Sequence, residues 1–314
     1  MKTASSGISR RCFLHATAVA AATTPQLFCT AAGATDARVD EVAILNDTHI
    51  SGDASDSKTR PHVHEEHPAH LRTAVQQILA RTSRPAAVII NGDLAWWVGK
   101  PSDYQAFAAL ISPLREAGVP VHFTLGNHDN REAFARAFPD VRSASQFRDH
   151  RHNSVIDLPN ARLILLDSLK ETPAAPGMLG EEQIAWLLQR ADETPDRPVL
   201  IVTHHNLKLG GDPLHFPGGI EDTEAFWPEL VKRPQIKGYI HGHVHDWTLA
   251  QHSGIHIINT LASSFVGNKA TSTTGWTLAR LKPDGIELKI QTFRPDEPWN
   301  GESKWLFWRQ SKKA

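Results

Sequence analysis

"IKGYIHGHVHDW" runs from Ile236 to Trp247, a strand-like apolar run that ends in three histidines at alternate positions, His241, His243 and His245. In an extended strand, alternate side chains share one face, so alternation alone makes the three imidazoles equivalent. The same construction recurs four more times. "VAIL" (Val42 to Leu45) runs into Asn46-Asp47-Thr48-His49, and "AAVII" (Ala86 to Ile90) into Asn91-Gly92-Asp93. "VHFTL" (Val121 to Leu125) runs into Gly126-Asn127-His128-Asp129, and "VLIVT" (Val199 to Thr203) into His204-His205.

Helical patterns separate these strands. "PAHLRTAVQQILAR" predicts a helix with Pro68 in its first turn and Leu71, Val75, Ile78 and Leu79 on one face. "SDYQAFAALISPLREAG" predicts another, capped by Ser102 with Gln105. "REAFARAF" and "GEEQIAWLLQRADE" read as helices, "RLILL" and "GIHIIN" as further strands, and "GWTLARLKPDGIELKIQTF" as a hairpin turning at Pro283-Asp284-Gly285. Alternating strands and helices give an α/β class. Unbroken apolar strands imply burial on both faces, and the strand-rich end implies a second sheet. The expectation is a four-layer αββα sandwich of two packed mixed sheets. Ligands bind beyond the carboxyl ends of such strands, so the five polar clusters converge there.

The chain has 314 residues, 40% of them hydrophobic, a formal net charge of −1 and 18 histidines. Near-neutral charge gives no sign of a nucleic-acid partner. The first 34 residues differ from the rest. "SRRCFL", an Ala-rich apolar run and the small residues Ala32-Gly33-Ala34 resemble a twin-arginine export signal. The expectation is a signal peptide over 1–34 and a mature domain over 35–314, exported to the periplasm or outside the cell, without a transmembrane segment. Both cysteines, Cys12 and Cys29, fall in the leader, so the mature domain relies on its core instead of disulfides.

Asp, Asn and His without thiolate form an oxygen/nitrogen donor set, suited to metals such as Fe, Mn or Zn. One ion takes about three or four protein ligands, so seven strong candidates are too many for one and suit two with a shared bridge. Composition does not separate His204 from His205.

In this order, D-x-H (Asp47, His49), G-D (Gly92, Asp93), G-N-H-D (Gly126 to Asp129), a strand-end His204 and G-H-x-H (Gly242 to His245) resemble the calcineurin-like metallophosphoesterases. The resemblance covers about residues 40–260. "GNHDNREAFARAF" and "GMLGEEQIAWL" add a looser resemblance to the cyclic-nucleotide and glycerophosphodiester phosphodiesterase branch. It implies one metal on Asp47, His49 and His245, a second on Asn127, His204 and His243, and Asp93 bridging them. It implies attack of a metal-bound hydroxide on phosphorus, with His128 contacting phosphoryl oxygens or protonating the leaving oxygen. The implied activity is hydrolysis of small phosphodiesters, and of monoesters as a second activity. The alternatives are a phosphomonoesterase or nucleotidase of the same fold, or a non-catalytic metal-binding member. Asp129 is expected to orient its loop, and His205 and His241 to support the ligands from behind.

Departures from the resemblance are equally informative. Ser/Thr protein phosphatases continue after G-D with an Asp and an Arg, where this chain has Trp96 and Trp97. Purple acid phosphatases carry an iron-binding Tyr where this chain has Trp96, and an indole cannot ligate. Both readings fall, and the residue that orients His128 is left unassigned. The two tryptophans read first as core and second as a wall of the substrate cleft. A second cluster, His62, His64, His67 and His70, reads as a solvated loop and helix start, as a substrate contact through His64, or as an extra zinc site. Trp299, Trp305 and Trp308 are expected to pack onto the domain.

Overall fold

Alternation within each apolar run sends neighbouring side chains to different cores. Val42 and Ile44 join the layer between two sheets, while Ala43 and Leu45 join a layer beneath helices. This holds in the computed structural model, which describes residues 40–53, 62–141, 143–144, 147, 150–209 and 218–310. The predicted export segment lies outside the described residues.

In chain order the elements are β1 (Glu41–Asn46), α1 (His62–Leu79), β2 (Ala87–Asn91), α2 (Pro101–Glu116), β3 (Val121–Thr124), α3 (Arg131–Ala137), β4 (Ser154–Asp157) and β5 (Arg162–Leu165). Then come α4 (Glu181–Asp192), β6 (Val199–Val202), α5 (Thr223–Lys232), β7 (Ile236–His241), β8 (Thr248–His252), β9 (Ile255–Asn259), β10 (Gly275–Lys282), β11 (Gly285–Thr292) and β12 (Ser303–Phe307). One sheet has the order β12-β11-β10-β1-β2-β3 and the other β4-β5-β6-β7-β9-β8. Strands β1, β2 and β3 pair in parallel, as do β5, β6, β7 and β9, while the flanking pairs are antiparallel. Both sheets are therefore mixed, as expected.

Three cores bind the layers. Val42, Ile44 and Ile89 meet Leu163, Leu200, Val202 and Ile240 between the sheets. Helices α1, α2 and α3 cover the outer face of the first sheet, and α4 and α5 that of the second. Helix α2 buries Tyr104, Phe107, Ile111 and Leu114 at helical spacing. Each such side chain contributes roughly 1.5–3 kcal/mol by leaving water.

Three local expectations need correction, and one helix carried no sequence expectation. Helix α1 begins at His62, so Pro68 lies inside it, and the second histidine cluster rides on a helix instead of a loop. Helix α2 is capped by Asp103, whose Oδ2 accepts from Lys100 N at 2.9 Å; Pro101 at the first helical position moves the cap upstream of Ser102. Helix α5 carries Pro228 inside "TEAFWPELVK", which masks its helical spacing in the sequence. Trp308 is buried and Trp299 packs on the inter-sheet core, but Trp305 is 38% exposed on the edge strand β12.

Candidate metal centre

The loops after β1, β2, β3, β6 and β7 hold every residue foreseen as a metal ligand. Asp47, His49, Asp93, His243 and His245 all have positive φ, between 46° and 68°. L-residues with side chains rarely adopt that region, and such strain concentrates at functional sites. The loops after β1, β2 and β7 turn sharply at these left-handed residues. Gly242 belongs to the same design: a Cβ there would lie 2.7 Å from Asp47 Oδ2.

Backbone hydrogen bonds lock the loops together. Asp47 N donates to Gly92 O (3.2 Å), His49 N to Asp93 O (2.9 Å) and Gly242 N to His204 O (3.0 Å). Ser263 N and Ser264 N donate to Asn46 O (2.8 Å) and Asp47 O (3.1 Å). The carboxylates take part too. Asp47 Oδ2 accepts from His243 N at 3.1 Å, and Asp93 Oδ1 from His128 N at 2.9 Å.

Two groups of ligand atoms result, each lying within 4.8 Å of one another: Asp47, His49, Asp93 and His245, and His204, His205 and His243. Asp93 faces both, its Oδ2 lying 3.5 Å from His49 Nε2 and 3.3 Å from His204 Nε2. Asp47 Oδ1 lies 3.2 Å from His245 Nε2. Backbone carbonyls fix the imidazoles by accepting from Nδ1: Asn91 O for His204 (3.0 Å) and Phe265 O for His245 (2.8 Å). That arrangement leaves each Nε2 for the centre.

The donor set fits hard or borderline cations. It has no thiolate, and Asn127 Oδ1 and His205 Nε2 are buried without a hydrogen-bond partner. An unpaired buried acceptor is costly unless something satisfies it. Electrostatics fit as well. Burial pushes the Asp93 carboxyl up, but the His204, His128 and His49 imidazoles outweigh it and hold it well below its ordinary value. Burial lowers His204, yet Asp93 and Asp47 overcome this and push it up to about 9. Burial, then neighbouring imidazoles, pushes His205 and His243 well down, so both are neutral and ready to ligate.

The supporting residues divide sharply. Asp129 is buried and accepts from Gly126 N (2.9 Å), Leu94 N (3.1 Å), Ala95 N (3.1 Å) and Tyr104 Oη (3.0 Å). It ties the G-N-H-D loop to the G-D loop. Burial and then Asp93 raise its carboxyl to about 7, against these hydrogen bonds. His241 donates from Nδ1 to Gly242 O at 3.0 Å, so it braces its own turn. His205 departs from its expected supporting place: Ser168 Oγ holds its Nδ1 at 2.8 Å, and its Nε2 faces the same space as His204 and His243.

The residue that orients His128 is Trp97, whose backbone carbonyl lies 2.7 Å from His128 Nδ1. Its φ of 57° aims that carbonyl. The tryptophans are not core: Trp97 is 54% exposed and stacks on His128 at 5.6 Å, while Trp96 meets His49 edge-on at 5.8 Å. From the second histidine cluster, His67 reaches the centre, where its Nδ1 donates to His49 O at 3.0 Å. No hydrogen bond or ring contact joins His64 to the centre among the described residues, and the side chain of His62 lies outside them. His67 carried the same sequence signal as its neighbours; only the helical register singles it out.

The profile of the family described as calcineurin-like phosphoesterase matches residues 41–247, more than half of the chain. The 3',5'-cyclic adenosine monophosphate phosphodiesterase CpdA of Vibrio vulnificus is 28% identical over 72% of this chain and 73% of its own. A probable glycerophosphodiester phosphodiesterase GpdQ of Arcobacter nitrofigilis is 28% identical over 65% of this chain and 71% of its own. A dimetal phosphatase from Danio rerio shares the fold, with a TM-score of 0.67 at 18% identity, covering 87% of this chain and all of that one.

Proposed function

We propose that this chain, which belongs to the calcineurin-like phosphoesterase family, hydrolyses small phosphodiesters at a centre of two metal ions. It is a metallophosphoesterase; the diester preference, the number of ions and the ligand roles are our reading. One observation carries that reading: Asp93 Oδ2 lies 3.5 Å from an imidazole of one donor group and 3.3 Å from an imidazole of the other. A carboxylate in that position serves as a shared ligand. Asp47, His49 and His245 would complete one site, and Asn127, His204 and His243 the other. Fe, Mn or Zn suit these donors. When bound, such ions supply Lewis acidity toward phosphoryl oxygen and an acidified water.

The protein's own groups do the rest. His128 donates from Nδ1 to Trp97 O, so its Nε2 is the ring atom free to meet the ester and protonate the departing oxygen. Asp129 and Gly126 keep that loop registered on Asp93. The leader resembles a twin-arginine signal, which supports export to the periplasm or beyond; Arg10→Lys with Arg11→Lys should keep the protein in the cytoplasm. Hydrolysis of bis(p-nitrophenyl) phosphate and p-nitrophenyl phosphate by protein loaded with Mn, Fe or Zn tests the activity. Faster turnover of the diester is expected. Hydrolysis of neither ester would contradict the reading.

A further inference from the structure

His205 is fully buried, and packing satisfies every polar atom it has but one. Its backbone oxygen accepts from Thr203 Oγ1 at 2.8 Å and from Tyr239 Oη at 3.0 Å. Its backbone nitrogen donates to Ser168 Oγ at 3.3 Å, and the same hydroxyl meets its Nδ1 at 2.8 Å. Nε2 alone has no hydrogen-bond partner among the described residues. A buried ring held this firmly with one nitrogen unsatisfied costs free energy unless something takes that nitrogen.

The surroundings of Nε2 indicate what takes it. The His205 ring lies 4.9 Å from that of His204 and 4.7 Å from that of His243, and one ligand atom of each lies within 4.8 Å of the others. Ser168 can meet either neutral tautomer of His205. A lone pair on Nε2 suits a cation shared with two other imidazoles; an N–H aimed at that cation does not. Two glycines keep room for these rings. A Cβ on Gly177 would lie 2.6 Å from His205 Cγ, and one on Gly218 would lie 2.3 Å from His243 Nε2. The Gly177 backbone is itself fixed, since its oxygen accepts from Glu221 N at 2.9 Å.

We propose that His205 is a metal ligand beyond the set that the family resemblance implies. Its Nε2 joins Asn127, His204 and His243, and Ser168 is the positioning residue that holds the ring. The proposal deepens the two-ion reading and rests on it. Imidazole suits Zn better than Mn, which prefers carboxylate and water, so a third imidazole biases this site toward Zn. The test is a crystal structure of the Zn-loaded full chain, with anomalous scattering locating the ions. An ion should lie about 2.0–2.1 Å from His205 Nε2. An ion on His204 and His243 with His205 Nε2 outside bonding distance would overturn the proposal and leave the two-ion reading standing. No ion at the imidazole group would sink both. In solution, elemental analysis after loading with equal Zn and Mn reads the preference. His205→Asn should lower the Zn-over-Mn ratio of one ion at least about tenfold. Ser168→Ala should fall between that variant and the wild type, and Ser168→Thr, which keeps the hydroxyl, should match the wild type. A ratio unmoved by His205→Asn would also overturn the proposal.

Discussion

The two donor groups meet at Asp93 but differ in chemistry. Asp47, His49, Asp93 and His245 combine two carboxylates with two imidazoles; His204, His205 and His243 are imidazoles, joined in the proposed second site only by the neutral amide of Asn127. In the mixed group, burial lowers His245, but Asp47 overcomes this and raises it. In the imidazole group, burial and mutual repulsion keep His205 and His243 neutral, and only His204, beside Asp93, holds its proton to about 9. The mixed group thus carries its own countercharge, whereas the imidazole group borrows it from Asp93. Metal binding releases ligand protons, so the imidazole group should fill second and depend more on the bridge.

Removing the proposed bridge, Asp93, should have the largest effect. Asp93→Asn keeps the side-chain shape and tolerates the left-handed backbone. It should empty the imidazole group, weaken the mixed group, and lower kcat/KM by about 10³-fold, the scale of lost metal charge stabilisation. Elemental analysis showing two retained ions would break the comparison. Next, His243→Asn and His245→Asn should each cost one ion, from different groups, with affinity reduced by at least about 100-fold. If both variants lose the same ion, the two groups are one. His128→Asn should lower kcat by about 10²-fold with the metal content unchanged, separating proton transfer from metal binding.

The strand ends were legible because they combine two signals, an unbroken apolar run and an abrupt change to Asp, Asn and His. The edge strands β8 and β12 lacked both. Thr248–His252 is almost wholly exposed, so no apolar face marks β8, and β12 has the same weakness. His241, His243 and His245 looked equivalent by alternation; Gly242 ends the strand, and the positive φ of His243 and His245 turns them away from the face of His241. Trp97 and His205 could not be placed from composition. The decisive feature of Trp97 is its carbonyl, which every residue shares, and that of His205 is a ring nitrogen left without a partner by packing.

The smallest predicted effect concerns His67, which supports the mixed group from behind. Burial lowers its imidazole from 6.5 to about 4, against the hydrogen bond to His49 O. The unfolded chain therefore binds the extra proton between about pH 6.5 and pH 4, and stability falls as pH drops through that window. At pH 5 the loss should be roughly 2 kcal/mol relative to neutral pH. Urea unfolding of chelated protein should show this pH dependence, and His67→Asn should remove that part of it. An unchanged slope would place the pH sensitivity elsewhere.

Electron paramagnetic resonance of Mn(II)-loaded protein, with metal content measured on the same sample, tests the shared carboxylate most directly. The proposed two-ion centre predicts two ions per chain and a spectrum of exchange-coupled manganese that Asp93→Asn abolishes. A single ion, or two ions with the spectrum of isolated manganese, would contradict it.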